Sequence, residues 1–144
     1  MSLATIIDML PDVRVLVADD DPELLELVAE AFARLGAYVI RARNGGELIE
    51  HLAEHGPFDL VVTDIVMPWM TGLRAMHAAR TAGLGTAVII MTGLRDSWIP
   101  AKVKSLGSNA ALLEKPFDLT ALETLASKLL AQRGREPVGR APKE

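Results

Sequence analysis

Cysteine is missing from the 144-residue chain, and aromatic residues make up only 4% of it. Without cysteine, the chain has no disulfide framework and no thiolate to serve as a metal ligand or a nucleophile. Half of the residues are apolar, so the core is built mainly from Leu, Val, Ile and Ala. The lack of cysteine fits a reducing compartment, and we expect a cytoplasmic protein.

Two other features are missing, a long apolar segment and an excess of positive charge. No apolar run approaches the ~20 residues that span a bilayer, and the N-terminus lacks the basic region of a signal peptide. We therefore expect neither membrane association nor export. The net charge is −4, and four basic and two acidic residues in 131–144 contribute +2, which leaves −6 on the rest. This balance argues against direct nucleic-acid binding.

Apolar runs and amphipathic helical patterns alternate five times along the chain. This order predicts an α/β fold, a doubly wound parallel sheet with helices on both faces. The first, third and fourth strands are almost entirely apolar, as expected when both faces are buried, whereas Arg41 and Arg43 mark the second as an edge strand. The strands are predicted at 13–18, 37–42, 58–63, 86–91 and 110–113.

Local capping signals place helices between these strands. Asp21 followed by Pro22 is typical of a helix start. Asn44 is expected to cap the second helix, and Asp118 the last one. The least regular helix is predicted at about 97–106.

The two ends of the chain set the predicted domain limits. Residues 1–11 are predicted to be an N-terminal leader, disordered or partly derived from an expression vector. Residues 12–130 form the predicted domain. Residues 131–144 lack an apolar period and are predicted to be a flexible tail or a truncated linker.

Polar residues stand where four of the predicted strands end. Asp19 and Asp20 follow the first strand, and Asp64 follows the third. Thr92 follows the fourth strand and Lys115 the fifth. The carboxyl ends of strands in an open parallel sheet line one crevice, where such folds bind ligands. We therefore expect these five side chains to converge on one site.

Three convergent carboxylates need a compensating charge. Like charges a few ångström apart repel by about 4 kcal/mol at an effective dielectric constant of about 20. Protonation or a bound cation relieves such repulsion, and a hard divalent ion such as Mg²⁺ suits carboxylate oxygens. The third acid of the run, Asp21, is accounted for as the helix cap.

Asp64 is the candidate nucleophile of this site. A carboxylate accepts a phosphoryl group as an aspartyl phosphate when a metal offsets the charge of donor and acceptor. The hydroxyl of Thr92 and the ammonium of Lys115 are suited to contact the phosphoryl oxygens. The sequence thus predicts phosphoryl transfer to an aspartate.

The ordered motifs at the strand ends resemble those of the receiver domain of bacterial two-component response regulators. The resemblance covers about residues 12–130. It is carried by Val17-Ala18-Asp19-Asp20-Asp21-Pro22, Val62-Thr63-Asp64-Ile65-Val66-Met67-Pro68, Ile90-Met91-Thr92-Gly93 and Leu113-Glu114-Lys115-Pro116-Phe117.

The resemblance implies a strand order of 2-1-3-4-5 and a phosphoacceptor role for Asp64. The phosphoryl group would come from a phosphohistidine of a sensor histidine kinase or a phosphotransfer protein. Asp20 and Asp64 would bind Mg²⁺ directly. Asp19 would act mainly through water, and the backbone carbonyl of Val66 would complete the protein ligands.

The resemblance also implies a signalling protein that catalyses only its own phosphorylation and dephosphorylation. The signal would leave through the face formed by helix 4, strand 5 and helix 5, towards a downstream protein or an output domain. Homodimerisation on phosphorylation is a further implied outcome. The Lys115-Pro116 peptide bond is expected to be cis.

One position departs from the family pattern. Receivers often carry an aromatic residue three positions before the lysine, and here that position is Leu112. The aromatic ring usually swings inward behind the threonine, and leucine has no ring to do so. We expect the output face to change by a modified route.

Two other functions fit parts of the sequence. Asp19-Asp20-Asp21 contains the Asp-x-Asp pattern of haloacid-dehalogenase-like phosphohydrolases, in which Asp19 would be the nucleophile, but Asp64 would then be unexplained. The other alternative is a receiver-like docking module that works without phosphorylation. Leu112 favours this alternative, whereas the complete set of acids, threonine and lysine disfavours it.

The three histidines are not assigned to any site. They fall on predicted helices or their ends, without a ligand partner at binding spacing. We interpret all three as solvated surface residues: His51, His55 and His77.

Overall fold

The computed structural model describes Leu10 and residues 12–133. Apart from Leu10, the predicted leader lies outside the described residues, as do residues 134–144 of the predicted tail. Within the described part of the chain, no helix is both long and apolar enough to cross a membrane.

Strands and helices alternate along the chain, as the apolar patterns predict. The strands are β1 (Arg14–Ala18), β2 (Tyr38–Ala42), β3 (Leu60–Asp64), β4 (Ala87–Thr92) and β5 (Ala110–Glu114). The helices are α1 (Pro22–Arg34), α2 (Gly45–Glu54), α3 (Gly72–Thr81), α4 (Ile99–Lys104) and α5 (Leu119–Arg133). Helix α4 is shorter than the predicted 97–106, and α5 continues past residue 130, the predicted limit of the domain.

The five strands form one parallel sheet in the order β2-β1-β3-β4-β5. This confirms the predicted doubly wound α/β fold and the strand order 2-1-3-4-5, with β2 at an edge. The register pairs Ala18 with Thr63 across β1 and β3, and Asp64 with Met91 across β3 and β4. The central strands therefore end at nearly the same level, which brings the residues that follow them to one edge of the sheet.

Two apolar layers hold the helices on the faces of the sheet. Successive strand residues point to opposite faces, so neighbours in β3 enter different layers. One layer packs α1 and α5 around Val62, Phe32 and Leu122. The other packs α2, α3 and α4 around Val61 and Met76. All five side chains are completely buried, and burial of each contributes about 1.5–3 kcal/mol.

The caps of α1 and α5 form as the sequence predicts. Asp21 accepts hydrogen bonds from the backbone N–H groups of Glu23 and Leu24, and Asp118 accepts one from Ala121. Both helices therefore begin within a few residues of a strand end, at the carboxyl edge of the sheet.

The side chains of Asn44 and Glu47 each accept a backbone hydrogen bond at the start of α2. Oδ1 of Asn44 accepts a hydrogen bond from the Glu47 N–H (2.8 Å), and Oε1 of Glu47 accepts one from the Arg43 N–H (2.7 Å). Nη2 of Arg43 lies 3.3 Å from Oε2 of Glu47. The backbone hydrogen bond from Arg43 lowers the pKa of Glu47, because it stabilises the carboxylate.

We expect Glu47→Gln to lower the free energy of unfolding at neutral pH by about 1 kcal/mol, because an amide replaces a charged acceptor at a helix start. A lowered pKa stabilises the folded protein above the ordinary glutamate value of about 4.3. This contribution is lost as the pH falls through the lower value of the folded state. Urea unfolding should therefore show a difference between the two proteins that shrinks in acid. A difference that does not change with pH would contradict this account.

Helix α3 begins with a glycine that lies against the end of β3. A Cβ atom at Gly72 would be 2.6 Å from Oγ1 of Thr63 and closer still to the carbonyl oxygen of Asp64. The Gly72 N–H donates to the carbonyl of Ile65 at 3.0 Å. A side chain at this position would displace the backbone that carries Asp64.

We expect Gly72→Ala to lower the free energy of unfolding by about 2 kcal/mol, because the added methyl group overpacks the end of β3. The matched control is Gly85→Ala, since a Cβ atom there meets nothing within 4 Å. The control is expected to raise the free energy of unfolding by about 0.5 kcal/mol through lower entropy of the unfolded chain. A Gly72→Ala protein that is as stable in urea as the Gly85→Ala protein would contradict close packing at Gly72.

Candidate functional site

The three predicted carboxylates converge at the carboxyl edge of the sheet. Asp19 follows β1 and is completely buried, and Asp64 ends β3 and is 8% exposed. Asp20 is exposed to solvent. One carboxylate oxygen from each residue lies within 4.8 Å of the other two. Like charges this close raise each other's free energy unless a cation lies among them.

Lys115 brings a positive charge to two of these carboxylates. Its Nζ donates to Oδ2 of Asp64 at 3.0 Å and to Oδ2 of Asp19 at 3.1 Å. The backbone N–H of Lys115 donates to the carbonyl of Thr92 at 2.8 Å, and the bond to Pro116 is cis, as predicted. The ammonium thus reaches from β5, at the edge of the sheet, across to the acids beyond β1 and β3.

Burial and charge shift the pKa values of this cluster. Burial raises the pKa of Asp19 and the charge of Asp64 adds to the rise, against the hydrogen bond from the Asp21 backbone and the contacts of Lys115. Burial alone would lower the pKa of Lys115, but the hydrogen bonds and charges of Asp64 and Asp19 outweigh it and raise that pKa. The lysine therefore stays protonated at neutral pH, whereas ionisation of Asp19 costs free energy.

The oxygen donors of the site fit a hard divalent cation. Oδ1 of Asp19 accepts a hydrogen bond from the Asp21 N–H (2.9 Å), and Oδ1 of Asp64 accepts one from the Val66 N–H (3.4 Å). Backbone groups thus fix the direction of both buried carboxylates, and Asp20 adds an exposed carboxylate. Carboxylate oxygens with room for water are the ligands that Mg²⁺ prefers. Ligation by the Val66 carbonyl stays a prediction.

Thr92 is buried at the end of β4, beside the strand that carries Asp64. Its Oγ1 accepts a hydrogen bond from the Leu94 N–H at 2.9 Å. This contact uses an oxygen lone pair and leaves the hydroxyl proton available for donation. The predicted contact of Thr92 with a phosphoryl oxygen stays a prediction.

The loops after β3 and β4 carry exposed apolar side chains. Val66, two residues after Asp64, is 54% exposed, and Trp69 is 86% exposed. Leu94, two residues after Thr92, is also partly exposed. The loops next to the buried acids therefore present apolar groups to solvent.

Trp69 has a backbone conformation that the sequence does not predict. Its φ is +78°, and the Met70 N–H donates to the Pro68 carbonyl across it at 2.9 Å. A positive φ at the centre of such a three-residue turn defines the rare, strained form of the γ-turn. The usual sequence signal for a positive φ is glycine, and none stands here.

The strained turn is hydrogen-bonded to the start of α2 and packs against it. The Pro68 carbonyl accepts a second hydrogen bond, from the Gly45 N–H at 3.0 Å. A Cβ atom at Gly45 would lie 2.7 Å from Cβ of Met70 and closer still to the Met70 carbonyl. The turn therefore packs directly against a helix backbone, and this contact holds Trp69 in its conformation.

Sequence reasoning also missed Arg95. Its side chain crosses from the loop after β4 to the end of β5, where Nη2 donates to the carbonyl of Lys115 at 2.7 Å. Nothing in the sequence marks an exposed loop arginine as a neighbour of a residue twenty positions further along the chain. Leu112, the position that departs from the family pattern, is half-buried and packs against the layer of α2, α3 and α4.

Two of the three histidines contact each other. The Nδ1 atoms of His51 and His55 are 3.0 Å apart in an exposed contact, which the interpretation as solvated surface residues did not include. A spacing of four residues on a helix brings two side chains together, and this is the signal that finds them. Nε2 of His77 lies 3.3 Å from Oγ of Ser105.

A doubly wound sheet with this arrangement of acids, hydroxyl and lysine at its carboxyl edge defines a receiver-type signalling domain. Sequence comparison leads to the same class, because the family described as "Response regulator receiver domain" matches residues 15–127. The chain belongs to the response regulator receiver domain family.

Curated relatives differ in how much of their length this chain covers. The chain is 32% identical over 123 residues to "Response regulator receiver protein CpdR" of Brucella abortus, covering 81% of this chain and 96% of that protein. It is 32% identical over 118 residues to "Regulatory protein AtoC" of Escherichia coli, covering 81% of this chain but 25% of that protein. The chain thus spans nearly all of one relative and a quarter of the other.

Solved structures share the fold. The receiver domain of Francisella response regulator 1452 superimposes with a TM-score of 0.74 at 27% identity, covering 85% of this chain and 99% of that one. The signal receiver domain of a putative Luxo repressor protein from Vibrio parahaemolyticus gives a TM-score of 0.80 at 21% identity. This match covers 91% of this chain and 99% of the chain from Vibrio parahaemolyticus. The second likeness bears on the fold alone.

We expect Trp69→Gly to raise the free energy of unfolding by about 1 kcal/mol, because glycine relieves the strain of the positive φ and the exposed ring gives up little packing. The matched control is Trp98→Gly, where the backbone is relaxed (φ −79°, ψ −15°). The control is expected to lower the free energy of unfolding by about 1 kcal/mol. Urea unfolding measures both. A destabilising Trp69→Gly would show that the indole contributes more packing than its exposure indicates.

Proposed function

We propose that the protein is a phosphoacceptor receiver, in which Asp64 takes a phosphoryl group from the phosphohistidine of a sensor histidine kinase or a phosphotransfer protein. The observation that carries the proposal is the position of Lys115, whose Nζ lies 3.0 Å from Asp64 and 3.1 Å from Asp19. An ammonium held at a buried carboxylate is placed to attract the oxygens of an incoming phosphoryl group.

The proposed reaction forms an O–P bond at a carboxylate oxygen of Asp64 and breaks the P–N bond of the donor. The imidazole leaves with the electron pair of that bond and takes up a proton. A carboxylate has about four lone-pair sites, so the contacts with Lys115 and the Val66 N–H leave lone pairs for attack. When bound at the acids, Mg²⁺ would offset the charge between the carboxylate and the phosphoryl oxygens.

Thr92 is proposed to donate its hydroxyl proton to a phosphoryl oxygen. Its present contact with the Leu94 N–H links this hydroxyl to the loop that leads into α4. Movement of Thr92 would therefore shift the face formed by α4, β5 and α5, the proposed output surface. A downstream protein or an output domain would read this change, and homodimerisation on phosphorylation is a further proposed outcome.

The buried position of Asp19 argues against the phosphohydrolase alternative. Asp19 and Asp64 have the same kinds of hydrogen-bond partner, a backbone N–H and the Lys115 ammonium. The Asp19 side chain is completely buried, however, whereas Asp64 is 8% exposed, so Asp64 is the better placed of the two to meet a phosphoryl group. The docking-module alternative assigns no function to the contacts between Lys115 and the acids. We therefore propose a protein that catalyses only its own phosphorylation and dephosphorylation, in the cytoplasm.

Intact mass spectrometry after incubation with acetyl phosphate and Mg²⁺ tests the proposal. We expect one phosphoryl adduct on the wild-type protein, its loss when Mg²⁺ is chelated, and no adduct on Asp64→Ala. The matched control is Asp21→Asn, which changes a neighbouring acid but keeps a good helix cap. This control is expected to be labelled like the wild type.

Three outcomes would contradict the proposal. An adduct that maps to Asp19 would favour the phosphohydrolase. A folded protein that neither takes up phosphate nor binds Mg²⁺ would favour the docking module. Equal labelling of Asp64→Ala and wild type would show that Asp64 is not the acceptor.

A further inference from the structure

The side chain of Arg95 joins the loop after β4 to the end of β5. Nη2 of Arg95 donates to the Lys115 carbonyl at 2.7 Å, and Nη1 donates to the Leu94 carbonyl at 3.3 Å. Nε lies 3.8 Å from Oε1 of Glu114. One guanidinium therefore contacts its own loop and the residue that carries the ammonium of the site.

Both polar backbone atoms of Lys115 are bound by the segment from Thr92 to Arg95. The Lys115 N–H donates to the Thr92 carbonyl at 2.8 Å, and the Lys115 carbonyl accepts from Arg95. The next residue is Pro116, which has no N–H to donate. The orientation of the Lys115 backbone therefore depends on these two hydrogen bonds.

We propose that Arg95 is a positioning residue of the phosphoryl site, which holds the Lys115 backbone so that the ammonium stays between Asp19 and Asp64. The chemical consequence rests on the proposed function, because a misplaced ammonium slows phosphoryl transfer only if Asp64 is the acceptor. The contact itself is independent of that function.

Arg95 also links Thr92 to the end of β5 through a series of contacts. Thr92 is bound to Leu94 through its hydroxyl oxygen, and Arg95 follows Leu94 directly. Any displacement of this loop towards the acids would carry the guanidinium, and with it the Lys115 carbonyl at the end of β5. Leu112 offers no aromatic ring for this purpose, so the guanidinium supplies a link that runs along the surface.

Geometry, and not charge alone, explains how Arg95 acts. Its side chain is 53% exposed, so salt and water screen its charge. A guanidinium is a rigid planar fork with five N–H donors, whereas a lysine ammonium is a point charge on a flexible stem. Lysine at this position would keep the charge but lose the fixed bridge.

The first test needs neither phosphate nor metal. The ¹H–¹³C resonance of the Lys115 ε-methylene group is compared in wild type, Arg95→Ala and Arg95→Lys, all treated with a chelator. We expect both variants to shift this resonance towards those of solvent-exposed lysines. The matched control is Arg41→Ala. Arg41 makes two hydrogen bonds to Glu26 and lies on β2, at the edge of the sheet opposite β5, so its removal is expected to leave Lys115 unchanged.

The second test is the rate of labelling by acetyl phosphate. We expect Arg95→Ala and Arg95→Lys to be labelled about tenfold more slowly, because small displacements of a reacting group cost rate, and Arg41→Ala to match the wild type. An unshifted Lys115 resonance and a wild-type rate in Arg95→Ala would overturn the inference. Full rescue by Arg95→Lys would assign the effect to charge and also overturn it. If the wild type takes no label and binds no Mg²⁺, the proposed function fails, but the resonance of Lys115 still decides the role of Arg95.

Discussion

The structure depends on the balance between two buried carboxylates and one ammonium group. Asp19 and Asp64 are brought together by the register of β1 and β3, and their repulsion is offset by Lys115 at 3.0–3.1 Å. Everything around them maintains this balance: two backbone N–H groups orient the carboxylates, and two apolar layers fix the strands beneath. The Lys115 ammonium thus lies within hydrogen-bonding distance of both buried carboxylates.

The fold was predictable because its signals are local. Apolar runs, Asp21, Asn44 and Asp118 each mark an element where the structure has one, and the alternation of elements requires a parallel sheet. The meeting of Asp19, Asp64 and Lys115 was also predictable, since the carboxyl ends of parallel strands share one edge. The continuation of α5 past residue 130 was not, because the helix extends beyond its last clear apolar repeat.

Features that depend on loop geometry could not be predicted from the sequence. The positive φ of Trp69 results from packing of its turn against Gly45, a contact between segments far apart in the chain. The bridge from Arg95 to Lys115 likewise requires the folded position of a surface loop. The contact of His51 with His55 differs from these, because its four-residue spacing on a helix was visible in the sequence.

Close packing at Gly45 and Gly72 limits how the loop between β3 and α3 can change during evolution. Gly45 lies against the β3–α3 loop and Gly72 against the end of β3, and neither site admits even a methyl group without displacing the backbone. The path of the loop is therefore fixed, whereas its exposed side chains, Val66 and Trp69, contribute little to the core. Substitutions of these two side chains can change the chemistry of the exposed surface and leave the position of Asp64 intact. Surface composition and site geometry can thus diverge separately within one short segment.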